Sequence, residues 1–155
     1  MKPLRQNLRR RQTGTALVEA VVVSPLLLFL LLLTAEVTNV FVAHNTLTKA
    51  VRSGARYAAA NAYGGTTGVV SLTPQLLNEV RNLVVFGTPA GATTPVLRGL
   101  TLVDIQVIDA GNDNVSVTAT YAYTGILGGT LPSFGFGADP GLTHNLQATV
   151  MMRAL

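Results

Sequence analysis

The chain has 155 residues, of which 12% are charged, and a mean hydropathy of +0.42. Soluble domains carry roughly 25% charged residues, so part of this chain is expected to avoid water. High apolar content with low charge excludes a disordered protein. The absence of cysteine excludes a disulfide scaffold, a thiolate zinc site and a cysteine nucleophile.

The net charge of +4 suggests nucleic-acid binding at first sight, but its distribution argues against that function. Five basic side chains lie within the first 14 residues: Lys2, Arg5, Arg9, Arg10 and Arg11. Residues 15–155 carry six basic and seven acidic side chains, a net charge of −1. Because no basic face with interleaved aromatic residues remains, we expect no nucleic-acid partner.

Residues 16–35 (ALVEAVVVSPLLLFLLLLTA) contain one charge, Glu19, and one helix-bending residue, Pro25. As a helix, this segment spans about 30 Å, the thickness of the hydrocarbon core of a bilayer. The basic run before it places the N-terminus in the cytoplasm and the remainder on the other side. A conventional signal peptide fits less well, since its apolar region has only about 7–15 residues and a small-x-small cleavage site follows.

Glu19 is the unusual residue of this span. A carboxylate inside a membrane costs on the order of 3 kcal/mol, so it should have a partner. One possibility is an interfacial position near Arg11. The other is proteolysis after Gly14, which would free an α-amino group at Thr15 with a pKa near 8. Thr15 and Glu19 are four residues apart, on one helical face.

The order of basic leader, Gly14, Thr15 and Glu19 ahead of a leucine run resembles the class III signal of type IV pilins. Residues 46–59 (TLTKAVRSGARYAA) resemble the LTNAAREGARYAA pattern of TadE-like pseudopilins of the tight-adherence (Tad/Flp) pilus system. Residues 118–127 and 148–153 are similar to the tails of such proteins. The resemblance extends over residues 9 to about 60, and it departs from the pattern at Ser53, where the family often has glutamate.

The resemblance implies cleavage by a prepilin peptidase between Gly14 and Thr15, and a role for Glu19 in subunit registration. It implies a single-pass protein of the inner membrane with a periplasmic C-terminal domain, which becomes extracellular if it enters a pilus. The implied partners are the peptidase, other pilin or pseudopilin subunits, inner-membrane pilus assembly proteins and membrane lipid. No catalytic residue and no cofactor is implied.

After the span, small or apolar residues recur in steps of three and four and predict a helical stripe. Its members are Val37, Val40, Phe41, His44, Leu47, Val51, Ala55, Ala58 and Ala62. Ala50, Gly54 and Ala58 form a small-xxx-small row that would let another helix approach closely. Lys49, Arg52 and Arg56 follow a second face, for which we expect solvent exposure. Gly64 and Gly65 would end a helix that runs from residue 15 to 63.

The distal residues predict a small α+β domain. Residues 63–68 and residues 87–94, which contain two glycines and a proline, predict loops, and between them Thr73 and Pro74 predict the start of a short helix that ends before Gly87. Residues 100–108, 115–123 and 144–153 predict strands of an antiparallel sheet that packs on the long helix. Residues 109–114 supply a hairpin turn rather than a calcium loop, because the D-x-[DN]-x-[DN]-G order is absent. The glycine-rich residues 125–141 suit an exposed loop that contacts a partner.

The predicted organisation is thus α+β, with a cytoplasmic leader at 1–14, a transmembrane helix at 15–36, a helical stalk at 37–63 and a pilin-like domain at 64–155. His44 and His144 lack a second ligand at metal spacing, and His44 is expected to be packed or at an interface. No P-loop, dinucleotide or G-x-S-x-G motif is present, so we expect a non-enzyme without metal or cofactor.

Two alternatives to the pilin hypothesis remain open. One is an uncleaved single-pass anchor whose external domain binds an envelope or secretion partner, which shares the predicted topology but needs no maturation. The other is a soluble domain released by a signal peptidase near Ala43. The three hypotheses differ in which residue is the first of the functional protein, and N-terminal sequencing identifies it.

Overall fold

The computed structural model describes residues 5–63, 70–126, 128–130, 137–138, 141 and 143–154. The two helices are α1 (Arg5–Asn61) and α2 (Pro74–Phe86), and the three strands are β1 (Ile105–Gly111), β2 (Asn114–Tyr123) and β3 (His144–Arg153). This architecture confirms the predicted α+β class with a small antiparallel sheet. The chain divides into two units, Met1–Thr38 and Asn39–Leu155.

α1 begins ten residues before the expected start at Thr15 and ends two residues before Tyr63. The helix therefore contains Gly14, which was expected to precede it, and includes Pro25. In the first unit, the apolar side chains from Leu17 to Leu28 are all exposed.

α2 has the boundaries that its sequence predicts. Thr73 is the N-cap, and its Oγ1 accepts a hydrogen bond from the backbone N–H of Leu76 at 3.3 Å. Pro74 takes the first helical position, where its missing N–H costs nothing. Gly87 closes the helix with φ +77° and donates its N–H to the carbonyl of Leu83.

The sheet has the order β1-β2-β3, with both pairs antiparallel. The predictions for β2 and β3 are confirmed, but the prediction of a strand from residue 100 is wrong in its first half. There, Leu102–Asp104 form a single 3₁₀ turn. The carboxylate of Asp104 accepts hydrogen bonds from the backbone N–H and the hydroxyl of Thr101, at 2.8 and 2.6 Å. This local capping box competes with strand pairing and delays β1 until Ile105.

The hairpin turn between β1 and β2 is confirmed. Asn112 and Asp113 have φ of +51° and +62°, a conformation that asparagine and aspartate tolerate better than most residues. The Asp113 carbonyl also accepts the N–H of Ala154 at 2.7 Å, just beyond the end of β3. Of the loops predicted at residues 63–68 and 125–141, residues 64–68, 127, 131–136 and 139–140 lie outside the described part of the chain.

The core of the second unit lies between the later part of α1, α2 and one face of the sheet. Its fully buried side chains of largest volume are Leu47, Val51, Val80, Val84, Val85, Ile105, Val115 and Val117. Tyr121 reaches from β2 and donates its hydroxyl to the carbonyl of Arg98 at 2.9 Å, which ties the loop after α2 to the sheet. The opposite sheet face carries a cross-strand pair of hydroxyls, Thr118 and Thr149, 3.0 Å apart, together with the exposed side chains of Ile108 and Met151.

The predicted stripe of α1 is only partly right. Leu47, Val51 and the three alanines that follow them in the stripe are buried, as expected. Val37, Phe41 and His44 are exposed, and Ala43 instead takes the buried position. His44 is therefore not packed within the chain, and its place at an interface stays a prediction. Ala43 lies four residues before Leu47, so it continues the buried row, whereas His44 is turned away from it.

Candidate functional site on the long helix

The residues of the candidate processing site all lie in the first unit, within regular helix. Gly14 is exposed, and a Cβ added to it would meet no heavy atom within 4 Å. Thr15 follows it and is engaged in an interaction of its own. The peptide bond between them is therefore accessible to solvent, although its backbone is helical.

Glu19 lies one turn after Thr15, among exposed apolar side chains. Its neighbours Leu17, Val18, Val21 and Val22 are each more than 60% exposed. In the part of the chain that the structure describes, Glu19 forms no ion pair. Its carboxylate is thus the one charge on an otherwise apolar surface of α1 between Gly14 and Ala35.

The candidate packing row occupies the second unit. Gly54 and Ala58 are buried, and Ala50 is half-buried. A Cβ on Gly54 would overlap Cγ2 of Val84 and would lie 3.6 Å from Cγ1 of Val80. The helix that approaches this row is therefore α2 of the same chain, and the missing side chain of Gly54 is what lets Val84 reach α1.

Beside this contact, α1 and α2 leave an open groove of about 350 Å³. Its lining residues are Thr46, Lys49, Ala50, Ser53, Leu83, Gly87 and Val96. The side chains of Lys49, Arg52 and Arg56 are exposed, as the sequence predicts for this face. In the second unit α1 therefore has a packed face of small residues and a basic outer face.

A polar contact that the sequence did not predict connects the two helices. Glu79 accepts hydrogen bonds from the hydroxyl of Tyr57 at 2.9 Å and from the amide of Gln75 at 2.8 Å. The Gln75 and Tyr57 hydrogen bonds lower the pKa of Glu79. The hydrogen bond to Glu79 raises the pKa of Tyr57, with contributions from desolvation and from the negative charge. The i, i+4 spacing of Gln75 and Glu79 was the only local signal for this contact.

Glu36 and His144 are two further titratable side chains, one buried and one exposed. Glu36 directly follows the apolar run, yet its side chain is only 3% exposed and is not without an interaction partner. A single carboxylate between Ala35 and Val37 gave no sequence signal for burial. His144 is exposed, and its Nδ1 lies 2.8 Å from the carbonyl oxygen of Thr143. Within the described residues, no three His, Asp or Glu side chains are grouped as a metal site would require.

α1 also contains the one helix of the described residues that is long and apolar enough to cross a membrane, over Gly14–Asn61. Its most apolar window has a mean hydropathy of 2.6 and is not buried by the rest of the chain. A single-pass membrane anchor explains this surface, because exposed leucine and valine side chains are stable in hydrocarbon and costly in water.

In a comparison with known families, residues 14–56 match the family of TadE-like proteins. The resemblance stated from the sequence is thereby confirmed over these residues. The matched segment begins at Gly14 and includes Glu19 and Gly54. No curated protein and no solved structure matches the chain.

Proposed function

We propose that this chain is a TadE-like minor pilin or pseudopilin, whose precursor is cut by a prepilin peptidase between Gly14 and Thr15 before it takes part in assembly of a tight-adherence pilus. The observation that carries the proposal is the placement of Gly14, Thr15 and Glu19 at the start of the exposed apolar run of α1, within the segment that matches TadE-like proteins. The leader at 1–14 remains in the cytoplasm, and the domain at 64–155 lies in the periplasm.

Gly14 suits a cleavage position on physical grounds. Glycine is about 1 kcal/mol less favourable than alanine in a helix interior, so α1 opens more easily here than it would at an alanine or a leucine. No side chain packs over its Cα. A peptidase can therefore take up this part of the helix in an extended conformation at low cost.

Cleavage changes the electrostatics of the span. It removes the five basic side chains of the leader, which otherwise hold the helix at the cytoplasmic leaflet. It also creates an ammonium group at Thr15, on the same helical face as Glu19. The ammonium of one subunit can pair with Glu19 of its neighbour, which offsets the cost of placing that carboxylate in lipid. Registration of subunits follows from this pairing.

The second unit has the role of a partner-binding domain rather than an enzyme. Its half-buried polar contact, between Tyr57 and Glu79, connects two helices through a hydrogen bond. Its partners are other pilin or pseudopilin subunits and the inner-membrane assembly proteins. We propose that it acts without a cofactor.

Intact mass of the membrane-extracted protein tests the processing step. We expect the wild-type chain and Glu19→Gln to lack residues 1–14, and Gly14→Leu to retain them in the same cells. Glu19→Gln should insert and mature normally but fail to assemble, because it can no longer pair with the new ammonium. Retention of the leader by the wild-type chain in cells with an active prepilin peptidase would contradict the proposal and favour an uncleaved anchor.

A further inference from the structure

On α1 within the second unit, two large apolar side chains are exposed. Phe41 is 65% exposed and Val42 is 58% exposed, whereas Leu47 and Val51, further along the same helix, are fully buried. Both exposed residues lie beyond residues 16–35, the segment that composition alone assigns to the membrane. We call Phe41 and Val42 the exposed pair.

We propose that the exposed pair contacts lipid, so that the hydrocarbon of the bilayer reaches Val42 and this turn of α1 lies at the edge of the bilayer. The inference goes beyond the proposed function, since it assigns a lipid-binding surface to the second unit. It rests on the single-pass anchor and does not depend on cleavage or pilus assembly.

The residues that separate the predicted span from the exposed pair are compatible with hydrocarbon. The hydroxyl of Thr34 donates to the carbonyl of Leu31 and that of Thr38 donates to the carbonyl of Thr34, each at 2.8 Å. Hydroxyls that are bonded within their own helix need no water. Glu36 is 3% exposed, so lipid would not meet its carboxylate. No exposed charge therefore interrupts the apolar surface before Val42.

The same face of α1 changes character just beyond the exposed pair. Lys49 lies seven residues after Val42, which is two helical turns on the same face and about 10 Å along the axis. It is exposed and is followed on that face by Arg52 and Arg56. An apolar turn followed by long basic side chains fits a bilayer edge, where the ammonium of Lys49 reaches anionic headgroups.

The bulk of the exposed pair favours lipid over another helix. Helices that associate in membranes do so through small residues, which allow close backbone contact. The small row of α1, at Ala50, Gly54 and Ala58, is instead turned towards the core of the second unit. Phenylalanine and valine on the opposite side make a surface that fluid acyl chains cover well.

This position of the membrane also affects Glu19. The stretch from Leu17 to Val42 is about 39 Å long as a helix, longer than the ~30 Å hydrocarbon core. A helix that places Val42 at one edge of the core therefore tilts or brings Glu19 to the opposite headgroups. Either arrangement lowers the cost of the Glu19 carboxylate before assembly.

The chain contains no tryptophan, so single tryptophans can report depth in the full-length protein. We would reconstitute Phe41→Trp in phosphatidylcholine–phosphatidylglycerol vesicles with acyl chains brominated either near the headgroup or near the tail end. Leu31→Trp, in the centre of the apolar run, is the embedded control. Val103→Trp, at a distal position that is 88% exposed, is the aqueous control. Circular dichroism verifies that each variant keeps its fold.

We expect the emission of Phe41→Trp to be blue-shifted and to lose most intensity with bromine near the headgroup, while Leu31→Trp responds more to bromine near the tail end. Phe41→Trp that behaves like Val103→Trp, while Leu31→Trp is quenched, would overturn the inference alone. A blue shift without quenching would also overturn it, since a protein partner would then cover the pair. If Leu31→Trp were not quenched either, the membrane anchor of the proposed function would fail as well.

Discussion

The two parts of α1 differ in where their large apolar side chains lie. In the first unit the large apolar residues are exposed, with Leu17, Val22 and Leu31 each more than 60% accessible. In the second unit the buried positions of the same helix include Ala55, Ala58 and Ala62, which are small and fully covered. Large apolar residues are therefore exposed in the first part, whereas the buried side of the second part contains small residues beside Leu47 and Val51. The side chains that α1 exposes therefore match the surroundings of each part, which are lipid for the first part and protein for the second.

Packing explains the choice of small residues in the second part. A helix that contacts both another helix and a sheet needs a narrow side on which backbones approach closely. Alanine and glycine form that narrow side, while Leu47 and Val51 fill the core earlier on the helix. The leucine run does not need small residues, because fluid acyl chains adapt to the shape of its surface.

The largest expected difference between the two parts comes from removing a leucine in each. Leu47→Ala creates a cavity in a fully buried site and should lower the free energy of unfolding of the second unit by about 3 kcal/mol. Leu27→Ala removes the same atoms from a side chain that is 59% exposed and should leave that unfolding unchanged. Thermal unfolding of the detergent-solubilised chain, followed by the near-UV circular dichroism of its tyrosines, measures both. Equal effects would show that the leucine run is not a separate, lipid-facing surface.

A smaller effect is expected from filling the narrow side of α1. Gly54→Ala would place a methyl group against Val84 and should destabilise the second unit by about 1–3 kcal/mol, despite the better helix propensity of alanine. Val84→Ala in the same chain should recover part of that loss, because it removes the overlapping methyl groups.

Ser53→Ala is the matched control for this cycle, since its side chain is exposed and its hydroxyl bonds only to the carbonyl of Lys49. We expect a change of less than ~0.5 kcal/mol there. Gly54→Ala as stable as the wild type would mean that α2 can move away from α1 at no cost. That result would contradict the view that the small row is required for α1 to pack against α2.

The sequence predicted best those features that depend on neighbouring residues. The caps of α2 and the whole of β3 follow from local side-chain chemistry and alternation, and both are confirmed. The start of β1 was missed because a hydrogen-bonded pair, Thr101 and Asp104, overrides an alternating pattern that reads as strand. Hydrophobic periodicity alone does not detect a local hydrogen bond of this kind.

Features that depend on the surroundings were predicted less well. Periodicity placed Val37, Phe41 and His44 on the buried stripe, although alanine at position 43 continues the row that reaches the core. A large apolar residue is a poor indicator of burial where a helix leaves a membrane, since lipid and protein core favour the same side chains. The burial of Glu36 and the Tyr57–Glu79 hydrogen bond arise from tertiary contacts, which a single sequence does not specify.

The smallest expected effect concerns the contact between Tyr57 and Glu79, a hydrogen-bonded pair of the second unit. Glu79 has a lowered pKa, so its contribution to stability is present above the unfolded value of about 4.3 and is lost as the pH falls through the folded value. Tyr57 has a raised pKa, so its contribution is present below about 10 and is lost as the pH rises through the folded value.

Gln75→Ala and Tyr57→Phe separate the two hydrogen bonds to Glu79. Each should raise the pKa of Glu79 towards its ordinary value, and Gln75→Ala should do so more, because its hydrogen bond is the larger cause of the shift. Carbon-detected NMR titration of the Glu79 carboxyl group measures the change, and acid unfolding should begin at a higher pH in both variants. Tyr57→Phe should also remove the loss of stability above pH ~10 that the tyrosine contributes. An unchanged titration of Glu79 in both variants would mean that water replaces these hydrogen bonds equally well, and that the carboxylate does not hold α2 against α1.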